Sequence, residues 1–278
     1  MQKLIYLLLL FPLTSFGQWG EIPFYKDAKF IKNGKIRAIY EKSFFANGQG
    51  DITEQYFDGV YRFNKDGSIS HEYRVYPTKY VDSVLYIYEK GNLVLEQHFS
   101  NRPEAQQYYE IQFSYDKKGL LEEKRSTYNN TTISYYYEKN ILVQEVSGRD
   151  DSDVVTRTFY SKDGNIDKKT INRVIDGRST EEEIELTSKD DKGNLTQEMH
   201  YKGSKLLESY FYKNYYTGTR LDGLSQYQSD MATINYTVAF RYNEKNWVVY
   251  ESLKFHKDPP NNTEFSSIRA STFEYYLW

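Results

Sequence analysis

Ile234-Asn-Tyr-Thr-Val-Ala-Phe-Arg-Tyr242, Asn243-Glu-Lys-Asn246 and Trp247-Val-Val-Tyr-Glu-Ser-Leu-Lys-Phe255 together decide the fold class. Ile234, Tyr236, Val238, Phe240 and Tyr242 alternate with Asn235, Thr237, Ala239 and Arg241. Past the polar break, Trp247, Val249, Glu251, Leu253 and Phe255 alternate with Val248, Tyr250, Ser252 and Lys254. Side chains along a strand point to opposite faces in turn, so the spacing predicts a hairpin with one mainly apolar face. Asn246 stands where a tight turn needs positive φ, a conformation Asn tolerates.

Working outward, the same phrase recurs: an aromatic strand end, a turn of Asp, Asn, Lys and Gly, then an aliphatic strand start. It reads Phe63-Asn-Lys-Asp-Gly-Ser-Ile69, Tyr88-Glu-Lys-Gly-Asn-Leu93, Tyr115-Asp-Lys-Lys-Gly-Leu120, Tyr137-Glu-Lys-Asn-Ile141 and Tyr160-Ser-Lys-Asp-Gly-Asn-Ile166. Ser188-Lys-Asp-Asp-Lys-Gly-Asn-Leu195 is a weaker copy. Recurrence every ~20–30 residues marks an array built from one supersecondary unit. Each unit is two short strands, too little to bury its own face, so units must pair edge to edge. With 29 Tyr and 16 Phe, composition also favours strands. The expected fold is all-β: antiparallel hairpin repeats in an extended, twisted or partly closed sheet.

One domain is expected, spanning 18–278. Residues 18–55 read as a cap, with an irregular hairpin around Asn33-Gly34 and a loop at Asn47-Gly-Gln-Gly50. Residues 56–255 hold the repeats. Residues 256–278 hold the Pro259-Pro260-Asn261-Asn262 loop and a final strand from Phe273 to Trp278. Ahead of these, Lys3, the apolar run Leu4 to Leu13, and the small residues Ser15 and Gly17 read as a signal peptide over 1–17, predicting export.

Tyr115-Asp-Lys-Lys-Gly-Leu120, with Tyr128 downstream, resembles the YD (tyrosine–aspartate) repeats of Rhs-like secreted proteins of bacteria. The similarity covers roughly residues 55–255 in degenerate copies, in which Glu89, Glu138, Ser161 or Asn243 follows the aromatic. The resemblance implies an extended β-sheet, in some members wound around a hollow shell. The array here is short for a large shell.

Chemistry is sparse in the sequence. The net charge of −3 arises from 36 basic and 39 acidic residues without a basic stripe, which speaks against nucleic acid as partner. There is no cysteine. His71, His98 and His200 fall at similar distances after repeat turns and read as ordinary strand residues; no zinc spacing joins them to His256. Asp150, Asp151 and Asp153 are the candidate Ca²⁺ cluster, against the alternative of a solvated turn. No cofactor and no catalytic residue is expected. The remaining signal is aromatic. Tyr135-Tyr136-Tyr137, Tyr210-Phe211-Tyr212, Tyr215-Tyr216 and Tyr275-Tyr276 place rings on both faces of their strands, so Tyr136, Tyr210, Tyr216 and Tyr276 are the candidate ligand-binding residues.

Three functions compete. The leading expectation is a non-catalytic exported repeat protein presenting an aromatic β-surface to a glycan or an envelope protein. The alternative is an outer-membrane β-barrel, favoured by the alternating aromatic ending Phe273-Glu-Tyr-Tyr-Leu-Trp278 and opposed by a mean hydropathy of −0.77. Strands such as Leu120-Leu-Glu-Glu-Lys-Arg-Ser-Thr127 also carry charge on both faces. The third is a glycan-active hydrolase using a carboxylate pair.

Overall fold

The computed structural model describes residues 27–47, 51–164, 166–256 and 265–278. The expected signal peptide, most of the Asn47–Gly50 loop and the Pro259–Asn262 loop lie outside the described residues.

A short helix, α1 (Ala28–Gly34), leads into eighteen strands. They are β1 (Ile36–Ala46), β2 (Ile52–Phe63), β3 (Ile69–Val75), β4 (Val81–Glu89), β5 (Asn92–Ser100) and β6 (Tyr108–Tyr115). Next come β7 (Leu121–Ser126), β8 (Thr131–Glu138), β9 (Ile141–Arg149), β10 (Val154–Asp163), β11 (Ile166–Ile175) and β12 (Arg178–Lys189). The last six are β13 (Leu195–Lys202), β14 (Lys205–Thr217), β15 (Arg220–Tyr227), β16 (Ile234–Tyr242), β17 (Val248–His256) and β18 (Phe265–Leu277). Every strand pairs antiparallel with its neighbours in sequence, and β18 pairs with β1 over ten residues, from Ile36↔Leu277 to Ala46↔Ile268. The sheet is therefore an up-and-down barrel, closed where an extended or partly closed sheet was expected. Closure removes the two open edges a long sheet would otherwise expose.

The repeated phrase has one address in this ring. The turns β2–β3, β4–β5, β6–β7, β8–β9, β10–β11, β12–β13 and β16–β17, which carry its copies, lie at the end of the barrel where β1 begins. In six of these hairpins, all but β10–β11, a register shift follows the turn, as between Arg62 and Phe63, Ile87 and Tyr88, and Arg241 and Tyr242. Such bulges increase local twist and bend, which a closing sheet requires. They also break the strict alternation read from sequence. In β17, Val248 rather than Val249 pairs with Tyr242 and shares the face of Glu251 and Leu253.

The aromatic of the phrase ties hairpins together. Tyr115 Oη donates to Leu93 O at 2.8 Å, Tyr275 Oη donates to Val248 O at 2.5 Å, and Tyr242 Oη donates to Leu221 O. In each case the acceptor is the first aliphatic residue after the preceding turn. Tyr115 and Leu93 both belong to copies of the phrase, whereas Tyr275 and Leu221 lie outside them. The Tyr137 hydroxyl is buried without a hydrogen-bond partner among the described residues, so the latch joins some successive units and not all. Asn140 and Asn246 occupy positive φ, 67° and 58°, as the absence of Gly at those turns requires.

Around Asn33-Gly34 a helix stands where a hairpin was expected. Asp27 caps α1, accepting from Lys29 N at 2.9 Å and Phe30 N at 3.1 Å, and Lys35 ends it in the left-handed conformation. Ile31 of α1 is fully buried with Ile36, Ile39, Tyr61, Phe63, Val248 and Phe273, while Phe30 meets the edges of Trp247 and Tyr275. The cluster that includes Ile31 draws side chains from β1–β3 and β16–β18 on a single face. That face must be the concave one, so it defines the lumen side. The final strand begins at Phe265, well before Phe273, and Trp278 N donates to Lys35 O at 3.0 Å beside the seam.

Candidate functional site

Register carries the lumen assignment around the ring. Away from α1 the inward face mixes polar and aromatic groups with aliphatic ones such as Val84, Ile133, Ile171 and Leu224. Tyr61 Oη donates to Glu41 at 2.6 Å, Glu96 meets His98 at 2.9 Å, Lys169 meets Glu185 at 2.9 Å, and Glu198 meets His200 at 3.0 Å. Tyr212 Oη donates to Glu198 at 2.8 Å and accepts from Gln226 Nε2 at 2.7 Å. Each bond stays within one strand or joins adjacent strands, and none crosses the lumen among the described residues. Glu96, His98, Lys169 and Glu185 also keep 15–29% of their side-chain surface accessible. Eighteen strands at ~4.8 Å spacing and a tilt near 40° give a ring about 35 Å across between backbones, wide enough for water inside.

The outward face differs. Tyr73, Leu85, Phe99, Phe159, Ile166, Leu206 and Tyr215 are exposed large apolar groups on β3–β5, β10, β11 and β14. Outward charges concentrate near strand ends: Arg62, Lys168, Arg241 and Glu274 toward the α1 end, and Glu110, Arg125, Arg157 and Lys254 toward the other. At mid-height stand Lys42, directly opposite Asp58 across the β1–β2 pair, and Glu123 and Lys213.

A half-open concavity lies where β3–β6 meet the β5–β6 loop and the β7–β8 turn. It holds about 360 Å³ and is lined by Glu72, Arg74, Asp82, His98, Arg102, Tyr109 and Tyr128, among others. Arg74 pairs with Glu72 at 2.9 Å. Arg102 pairs with Asp82 at 2.6 Å, and Ser100 Oγ donates to the other oxygen of that carboxylate at 2.7 Å. The Arg102 guanidinium lies 4.2 Å over the Tyr76 ring. The His98 ring stacks on Tyr109 at 4.3 Å with planes 9° apart, and Tyr128 lies 5.0 Å from Tyr109.

The structure disperses the four tyrosines singled out by sequence. Tyr136 of β8 and Tyr276 of β18 face outward, the latter 4.7 Å from Tyr40. Tyr210 and Tyr216 of β14 face inward, bonded to Glu208 at 3.0 Å and Asp190 at 2.5 Å. They form no common surface. Asp150 and Asp151 are engaged by Arg125 at 3.1 Å and Arg149 at 2.9 Å, and no group of three metal-ligating side chains occurs among the described residues. The concavity has no local signature in the sequence because its members come from four strands, the β5–β6 loop and the β7–β8 turn. From sequence alone His98 reads as an ordinary strand residue.

No family model and no curated protein matches this chain. Solved structures similar to it include a porin-like protein from Bacteroides uniformis ATCC 8492, at 9% identity and TM-score 0.45, covering 87% of this chain and 98% of that one. A porin-like protein from Bacteroides vulgatus ATCC 8482 gives 12% identity and TM-score 0.38 over the same shares. TcdB2-TccC3 gives 11% identity and TM-score 0.36, covering 78% of this chain and 15% of that one. Overlap this loose leaves function to be argued from the barrel's own geometry.

Proposed function

We propose that this protein is an envelope β-barrel of the outer-membrane type, with a water-filled polar lumen. The observation that carries the reading is ring closure of a single-layer wall. In a bilayer every backbone group must find its partner within the protein, which for strands requires closure without an edge. A one-layer wall with a wet lumen also has little core of its own, and burial here concentrates under α1 and along β1, β2, β17 and β18. Lipid against the exposed outward rings would supply the missing burial. Charges near the strand ends suit the membrane interfaces, where they cost about 0–1 kcal/mol rather than about 2–4 kcal/mol at the midplane. No helix among the described residues is long and apolar enough to cross a membrane, a criterion that does not bear on strands. The aromatic binding surface expected from sequence gives way to this alternative because its candidate tyrosines are split between the two faces of the wall.

One observation favours a second reading, a water-soluble barrel of the exported space. The outward faces of β6–β8 present Glu110, Gln112, Ser114, Glu123, Arg125, Thr132 and Ser134 beside the rings of Tyr108 and Tyr136, with no aliphatic group among them. That sector suits water or a protein neighbour better than lipid.

The deciding experiment expresses the full chain with its N-terminal segment intact, then asks whether it folds only with detergent and migrates differently on gels before and after heating. Both behaviours are expected of the membrane barrel. A monodisperse β-rich species in plain buffer would eliminate it in favour of the soluble barrel.

A further inference from the structure

We infer that the cavity between β3–β6 and the β5–β6 loop is a binding site for a neutral carbohydrate of one or two pyranose rings. Its charges are already balanced in pairs, Arg74 with Glu72 and Arg102 with Asp82. An anion entering would meet both carboxylates, and a cation both guanidinium groups. A polyol meets neither penalty, since each hydroxyl both donates and accepts. The planar, paired groups offer adjacent donors and acceptors matching vicinal hydroxyls.

A further observation points to the same ligand class. Tyr109 is backed by the stacked His98 ring, and Tyr128 stands beside it with 56% of its surface exposed. Such rings offer an apolar face to the C–H side of a pyranose and a polar tip to its hydroxyls. A volume of about 360 Å³ falls at the small end of ligand pockets, which span about 300–1,000 Å³. The site is built mainly from the lumen side of the wall, the β5–β6 loop and the β7–β8 turn, so it does not depend on whether the outer wall meets lipid or water.

The test is saturation-transfer NMR on the full chain, in whichever medium keeps it monodisperse and β-rich by circular dichroism. The probes are methyl α-glucoside, methyl β-galactoside, N-acetylglucosamine, maltose and cellobiose, with glucose 6-phosphate as the anionic comparison. Saturable binding of at least one neutral sugar is expected, weakened tenfold or more in Tyr128→Ala and in Arg102→Gln. Tyr128 lies outside the strands, so its replacement leaves the ladder intact and reads the site alone. Absence of saturable binding to every neutral sugar, tighter binding of glucose 6-phosphate, or binding unchanged in both variants would overturn the inference. These outcomes are separate from detergent dependence, which tests the membrane reading.

Discussion

Gly67 occupies φ +92° in the β2–β3 turn, and a Cβ there would lie 2.0 Å from Ala28 O at the start of α1. Gly119 has a similar φ of +79° but open space around it. Both replacements by Ala incur backbone strain, yet only Gly67→Ala must also displace the helix. Equilibrium unfolding should show a loss of about 1 kcal/mol for Gly119→Ala and about 2–4 kcal/mol for Gly67→Ala. Equal losses would mean that α1 does not rest on this turn. Acid sensitivity belongs to the same scale. The Ser68 hydroxyl and then its backbone N–H hold the Asp66 carboxyl below the usual carboxylate range, and the Thr233 hydroxyl leads in doing so for Asp230. A folded pKa below the unfolded one gives stability that is present above the unfolded value and lost as pH falls through the folded one. Stability should therefore be steady above about pH 5 and decline below about pH 4. Asp66→Asn should flatten part of that decline; an unchanged acid limb would place the acid sensitivity elsewhere.

At the scale of the element, the hairpin is the unit and the tyrosine latch its connection. Removing one hydroxyl in Tyr242→Phe leaves the ring packed while freeing the Leu221 carbonyl of its side-chain partner. A loss of about 0.5–1.5 kcal/mol is expected in chemical unfolding, and no loss at all would reduce the latch to a coincidence of packing. Seams between elements differ as well. β7 and β8 share only four paired positions, Glu123↔Ser134 to Ser126↔Thr131, whereas β1 and β18 share ten. Native-state hydrogen exchange should open β7–β8 first and β1–β18 last, because few ladder bonds and few buried apolar groups lower the local opening free energy. Faster exchange at β1–β18 would show that the ring opens at its closing seam.

On the scale of the whole molecule, the strand type, the hairpin unit and the turn chemistry were legible in the chain itself. These properties are local: period-two alternation, Gly or Asn at positive φ, and an aromatic before each turn act within about ten residues. Bulges were not legible, and they moved Val248 onto the face assigned from sequence to Val249. Neither was α1, because seven residues around Asn33-Gly34 carry little helical period and are held by packing into a cluster drawn from six strands. The candidate site was missed for a related reason. Tyr136, Tyr210, Tyr216 and Tyr276 were chosen for their neighbours in sequence, and parity with curvature sent them to opposite faces. The sequence alone determined an antiparallel array of aromatic hairpins. Only the tertiary structure decided that the array closes, and which face becomes a lumen. Closure depends on β1 meeting β18 across more than two hundred residues, on summed twist and bulges, and no local pattern encodes that sum.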